Sequence, residues 1–210
     1  MAITTAELAD AVDTFAGRIH AAKEELTTLD SAIGDADHGI NMDRGMSAVR
    51  EILPELRQGD PGALFTQTGM KLISTVGGAS GPLYGTFFLR LGTSLGDTSE
   101  VTPRRLAEAL RAGLEGVKAR GKAELGDKTM VDAMTPAVEA FEAGADGDLT
   151  TALAAAATAA AGGRDRVTPV VARKGRASYL GERSAGHQDP GATSTTILFE
   201  SLRDALSVTG

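Results

Sequence analysis

Cysteine is absent from the 210 residues, which excludes disulfides, thiol catalysis and cysteine-based zinc sites and suits a reducing compartment. Aromatic residues make up only 4% of the chain although 42% is hydrophobic, so Ala, Leu, Val and Met must build the core. That palette favours close helix packing over a β-sandwich, which leans on aromatic and β-branched side chains. Positive charge is in deficit: 21 Lys and Arg against 28 Asp and Glu give a formal net charge of -7. A nucleic-acid or anionic-membrane surface is therefore not expected. A nucleotide is not excluded, because a few metal ions reverse the sign of a local site. Long apolar runs are lacking too. The least polar stretch, Leu149 to Gly163, is mostly Ala and Thr and too short to span a bilayer. Glu7 and Asp10 interrupt the first apolar stretch, unlike a signal peptide. The expectation is a cytoplasmic chain with neither membrane nor nucleic acid as partner.

The length suits one good core and is short for two. With no linker, composition break or internal repeat, residues 1–210 read as a single domain. Leu8, Val12, Phe15, Ile19, Leu26 and Leu29 recur at helical steps with a gap only at Ala22, which predicts one long amphipathic helix. Thr4 and Glu7 supply a capping box at its start. A second helix is expected from about Ile40 to Leu56, with Met42, Met46, Val49 and Leu53 on one face. Asp60-Pro61, Thr102-Pro103 and Asp189-Pro190 each read as an N-cap followed by proline at the first helical position. Further helices are expected from Ala79 to Leu95, from Thr129 to Phe141 and from near Asp148. Val167 to Val171 is β-branched but carries Pro169, which demotes it as a strand. The chain reads as all-α, about eight helices joined by short Gly-rich turns.

Three polar clusters resist explanation as solvated helix surface. In the first, Leu29 to Asn41, three carboxylates crowd the end of an apolar helix. At about 100° per residue, Asp30, Asp35 and Asp37 cannot share one helical face, but Gly34 and Gly39 allow a turn that would bring them together. Capping at a helix junction explains one of the three. Converging carboxylates need a cation between them, and hard oxygen ligands favour Mg²⁺ or Ca²⁺. An EF-hand fails: counting from Asp35, the turn glycine falls on Ile40 and the bidentate glutamate on Met46.

The second cluster, Ser74 to Gly85, places glycines and hydroxyl residues before a helix, where exposed backbone N–H groups can hold an anion. Tight turns and close helix crossings use glycines equally well. Gly116 to Ala123 approaches a P-loop but lacks the final Ser or Thr and follows a helix instead of a strand. The third cluster, Lys174 to Thr193, is a long Gly-punctuated polar loop closed by a helix start. Arg176 or Arg183 can offer phosphate a fork of donors, and either can equally be a surface charge. His187 is given no covalent role.

Together the clusters resemble the L subunits of dihydroxyacetone kinases. The resemblance runs along essentially the whole chain. It is carried by Ile33 to Gly39, Gly77 to Leu83, Gly126-Asp127-Lys128-Thr129-Met130 and Gly186 to Thr193. It implies an up-and-down barrel of eight antiparallel helices with the nucleotide bound at one end. It implies that Asp30, Asp35 and Asp37 ligate two Mg²⁺ ions that hold the phosphates of ADP or ATP. By the same resemblance His38, Gly39, Ile40, Asn41, Ala79 and Ser80 line the phosphate side, and Gly121 and Met130 approach the adenine. Arg176, with Arg173 and Arg183 nearby, completes the pocket together with Asp189, Pro190 and Gly191. The implied partners are a K subunit that holds dihydroxyacetone, a phosphohistidine donor of the phosphotransferase system, and in some members a transcription activator. A homodimer is left open. The implied reaction needs no nucleophile from this chain, since a metal-bridged phosphoryl site works by positioning and charge neutralisation. Split ATP-dependent kinases of related small sugars and a nucleotide-dependent regulatory module are the alternatives.

Overall fold

A computed structural model describes residues 2–98 and 100–207. Those residues form nine α-helices, α1 Thr5–Ala21, α2 Lys23–Ile33, α3 His38–Leu56, α4 Pro61–Thr75, α5 Ser80–Leu95, α6 Pro103–Gly121, α7 Met130–Gly144, α8 Leu149–Val167 and α9 Pro190–Leu206. A 3-10 segment, Arg176–Ser184, lies between α8 and α9. The only bridge outside helices among the described residues pairs Ile3 with Val101 and fastens the N-terminal residues to the turn before α6. The segment 167–171 forms no strand, as its proline predicts.

The start signals work as read. Asp60, Thr102 and Asp189 accept hydrogen bonds from Ala63, Arg105 and Ala192, and proline follows each of them. Thr4 and Glu7 complete their capping box. The expected first helix is instead two, so the count exceeds eight. At Ala22 (φ -90, ψ 4) the helical ladder breaks and restarts at Lys23 with no side-chain cap. Ile19 and Leu26 are seven residues apart, a spacing that suits a straight rod, so periodicity does not reveal the break.

Each helix packs against its sequence neighbour, and α9 returns to α1, α2 and α8, closing the ring. Arg18 on α1 pairs with Glu200 and Asp204 on α9 across that closure. Such half-exposed pairs orient the helices more than they stabilise them. The interior is one main apolar cluster, with Phe15, Phe65, Tyr84, Phe87, Phe88, Phe141 and Phe199 as its largest members. Small residues let the rods approach: at Gly163 on α8 an added Cβ would collide with the Asp132 carbonyl on α7. A satellite cluster of Ile33, Ala172 and Ala177, with Leu180 against it, seats the 3-10 segment on the end of α2. Among the described residues no helix is long and apolar enough to cross a membrane.

Up-and-down order puts the starts of α3, α5, α7 and α9 at the same end of the ring. All four open onto one cavity of about 170 Å³ there.

Candidate functional site

The turn between α2 and α3 occupies residues 34–37, with Ala36 in left-handed backbone (φ 61). It brings oxygens of Asp30, Asp35 and Asp37 within 4.8 Å of one another. Asp30 divides its labour. Its Oδ2 accepts the amides of Asp37 (2.8 Å) and His38 (3.0 Å), capping α3 from a distance. That leaves Oδ1 for another partner. Gly34 is required beside it, because any Cβ there would strike the Asp30 carboxylate.

The other three helix starts differ in one respect. Thr129 with Asp132 caps α7 and Asp189 caps α9, but α5 begins at Ala79 with no side-chain cap. Its first amides are therefore open to an anion, in the positive field of the helix end. Gly78 (φ 64) leads into it, and a Cβ built there would lie 3.7 Å from the Asp37 carboxylate. Three carboxylates and an uncapped helix start thus share one cavity.

His38 and Ser80 sit between these two features in a chain of hydroxyls that runs from the half-buried Ser80 to the buried Ser194, Tyr84 and Thr195. Ser80 Oγ is 2.9 Å from His38 Nδ1, and His38 Nε2 is 2.9 Å from Ser194 Oγ. Tyr84 Oη meets Ser194 at 2.7 Å and Thr195 at 3.1 Å. Ser194 donates to the Gly191 carbonyl at 3.1 Å. The bonds are mutually consistent when His38 carries its proton on Nε2 and Ser80 donates to Nδ1. Ser80 then offers lone pairs, not a proton, to the cavity. Burial pulls the His38 pKa down to about 4, with Asp30 opposing, so the ring is neutral near pH 7. Burial also pushes the Tyr84 phenol up to about 12.

Asp189 is pushed up to about 7, first by burial and then by the charges of Asp132 and Asp30, against the Ala192 amide and Lys128. Arg176 reaches in from the segment between α8 and α9 and pairs with Asp35 at 2.9 Å. Ile33, Leu83, Met130 and Ala177 supply apolar wall.

Of the residues singled out from sequence, Asp30, Asp35, Asp37, His38, Ala79, Ser80, Met130, Arg176, Asp189, Pro190 and Gly191 line this cavity. Gly39, Ile40, Asn41 and Gly121 do not. Gly39 lies at the α2–α3 crossing, where a Cβ would strike the Lys23 carbonyl. Ile40 is 47% exposed. Asn41 is buried and accepts from Arg44 at 2.7 Å, beneath the Gly77 turn. Gly121 stands behind Leu83, which would be 3.2 Å from a Cβ placed there. Arg173 and Arg183 are exposed and not on the wall, so geometry brings Arg176 alone of the three to it. Tyr84, Lys128, Lys174 and Gly175 line the cavity without having been singled out for it. Lys128 lay inside a quoted motif, but a lone lysine gives no hint of burial.

The donor set fits a hard divalent cation: carboxylate oxygens converge, with an arginine and an open helix start to complement anionic oxygens. Fold and site together define a helical protein equipped for metal-dependent phosphate binding. The DAK2 domain matches residues 32–204. The ADP-binding subunit DhaL of a PEP-dependent dihydroxyacetone kinase from Escherichia coli (strain K12) is 50% identical over 181 residues, 85% of this chain and 86% of that protein. The corresponding subunit of a PTS-dependent kinase from Lactococcus lactis is 41% identical over 193 residues, 92% of this chain and 93% of that one. Among solved structures, the dihydroxyacetone kinase of C. freundii in complex with AMP-PNP and Mg²⁺ superposes with a TM-score of 0.74 at 27% identity. It covers 97% of this chain, which spans about a third (34%) of that longer one. The chain belongs to the DAK2 domain family, which it shares with the ADP-binding subunits of dihydroxyacetone kinases.

Proposed function

We propose that the chain is the nucleotide-carrying subunit of a phosphoenolpyruvate-dependent dihydroxyacetone kinase. In this reading it holds ADP or ATP while a separate K subunit presents dihydroxyacetone. A phosphohistidine protein of the phosphotransferase system rephosphorylates the ADP in place. The observation that carries the reading is the shared cavity, where three convergent aspartates meet the uncapped start of α5. Asp30 through its free oxygen, Asp35 and Asp37 would hold two Mg²⁺, and the ions would neutralise phosphate charge and fix its orientation. Ala79 and Ser80 would meet phosphate oxygens through the α5 amides, and Arg176 would add a fork of donors from above. Met130, with Leu83 and Ile33, would take the adenine. His38 positions Ser80, and neither residue needs to accept a proton.

Of the cavity's side chains, Lys128 is fully engaged by three carbonyls and both ring nitrogens of His38 are engaged by hydroxyls, so neither is poised for covalent capture of a ketone. In this reading the acceptor comes on a partner. Dihydroxyacetone phosphate is assayed with each component omitted in turn. The chain alone, with ATP and Mg²⁺, is expected to form none. Adding a K subunit should give transfer of a single phosphoryl group, and sustained turnover should require the phosphohistidine donor. Turnover by the chain alone would refute the reading. Sustained turnover on free ATP with a K subunit and no donor would overturn the phosphoenolpyruvate dependence.

A further inference from the structure

Lys128 has no part in the functions assigned above, yet its surroundings are unusual. Its side chain is 1% exposed, its backbone is left-handed (φ 65), and it lines the cavity. A non-glycine residue in that backbone region, and a buried ammonium, each need a structural reason. The ammonium donates to the carbonyls of Thr168 (2.7 Å), Val170 (3.0 Å) and Ser184 (2.7 Å). An ammonium has three donors, so these bonds satisfy it completely.

The three carbonyls come from both ends of the segment that joins α8 to α9. One side chain thus gathers the start and the close of that segment. Neighbouring bonds tighten the clasp. Gly186 donates to Thr168, the Ala172 amide donates to Ser184 Oγ, and the Arg173 amide donates to the Asp127 carbonyl. Between the clasped ends the chain runs over the cavity, carrying Lys174, Gly175 and Arg176 to its wall. Arg176 then reaches Asp35 at 2.9 Å.

We infer that Lys128 is a positioning residue for nucleotide phosphate, acting through Arg176 by clasping both ends of the segment that carries it. The inference rests on the nucleotide reading above. A methionine at 128 would fill the same space without donors and free the segment's ends. Arg176 would then have to be ordered by the ligand itself, at a loss of affinity.

The test is a double-mutant cycle on the full chain, with MgADP binding measured by calorimetry and folding checked by circular dichroism. Lys128→Met should weaken MgADP at least tenfold with helicity unchanged, and Arg176→Ala should weaken it comparably. The double variant should bind no more weakly than Arg176→Ala alone, because both losses remove the same contact. Amide exchange over residues 168–186 should speed up in Lys128→Met but not in Arg176→Ala. Wild-type affinity in Lys128→Met, or a loss that persists in full in the Arg176→Ala background, would overturn the inference. If the Met variant does not fold, Lys128→Arg replaces it in the cycle, since a planar fork keeps the charge but cannot serve three carbonyls arranged about one nitrogen. Failure of both to fold would overturn the inference by making Lys128 a requirement of the whole fold. Failure of the wild type to bind MgADP would instead sink the nucleotide reading itself.

Discussion

Asp189 caps α9 through the Ala192 amide at 2.7 Å, and its carboxyl is walled in beside Asp30, Asp132 and Lys128. Burial first, then the like charges, raise its pKa from 3.8 to about 7. A carboxyl raised on folding binds its proton more tightly in the native chain than in the unfolded one. Its stabilising effect is therefore complete below about pH 4 and is lost as pH rises toward 7. Asp189→Asn keeps an acceptor for the cap and removes the titration. Measured by urea denaturation in chelator, the variant should gain stability relative to wild type between pH 4 and 7. The gain should be on the order of a few kcal/mol at most. A constant difference across that range would mean that Asp189 ionises freely. Asp30 shows how far residue-scale reading reaches. Spacing alone said that the three aspartates could meet only through a turn, and they do. That one oxygen of Asp30 would be spent on the α3 amides was not legible, because a cap seven and eight residues away has no fixed sequence signature.

Helices α7 and α8 approach closely at Gly163, whereas the adjacent Gly162 has opposite surroundings. At Gly163 a Cβ would collide with the Asp132 carbonyl and lie 2.9 Å from Pro136, whereas at Gly162 nothing lies within 4 Å. Gly162→Ala should therefore stabilise the fold by about 1 kcal/mol through helix propensity. Gly163→Ala should destabilise it by about 1–3 kcal/mol, because the helices must separate. Denaturant midpoints of the two variants check this, and equal shifts would mean that the crossing is loose. Element reading succeeded where local chemistry decides. The Asp-Pro and Thr-Pro starts and the apolar stripe of α3 follow from capping geometry and helical spacing. It missed the Ala22 break and the 3-10 segment. Both depend on what the chain packs against, α2 turning toward α3 and the segment seating on Ile33. The resemblance places Gly39 on the phosphate side, and packing adds a constraint of its own there, the Lys23 carbonyl on the neighbouring helix.

The whole molecule is a ring of helices whose apolar interior is closed and whose polar business gathers at one end. The ring sets which helix starts face the cavity, while the turn 34–37 and the segment between α8 and α9 supply the charged groups. A ligand held at a thousandfold its dissociation constant adds about 4 kcal/mol to unfolding. Saturating MgADP should accordingly raise the melting temperature by several degrees over protein stripped with chelator. Amide exchange should slow most in residues 34–37 and 168–186. An unchanged melting curve after verified nucleotide removal would count against a site built for it. The most direct measurement is calorimetric titration of ADP into the wild type and into Asp35→Asn and Asp37→Asn, with and without Mg²⁺. The expected result is one ADP per chain, dependent on Mg²⁺ and lost in both variants while their helicity stays intact. Equal affinity without Mg²⁺, or undiminished Mg²⁺-dependent binding in the Asn variants, would contradict the metal-held nucleotide.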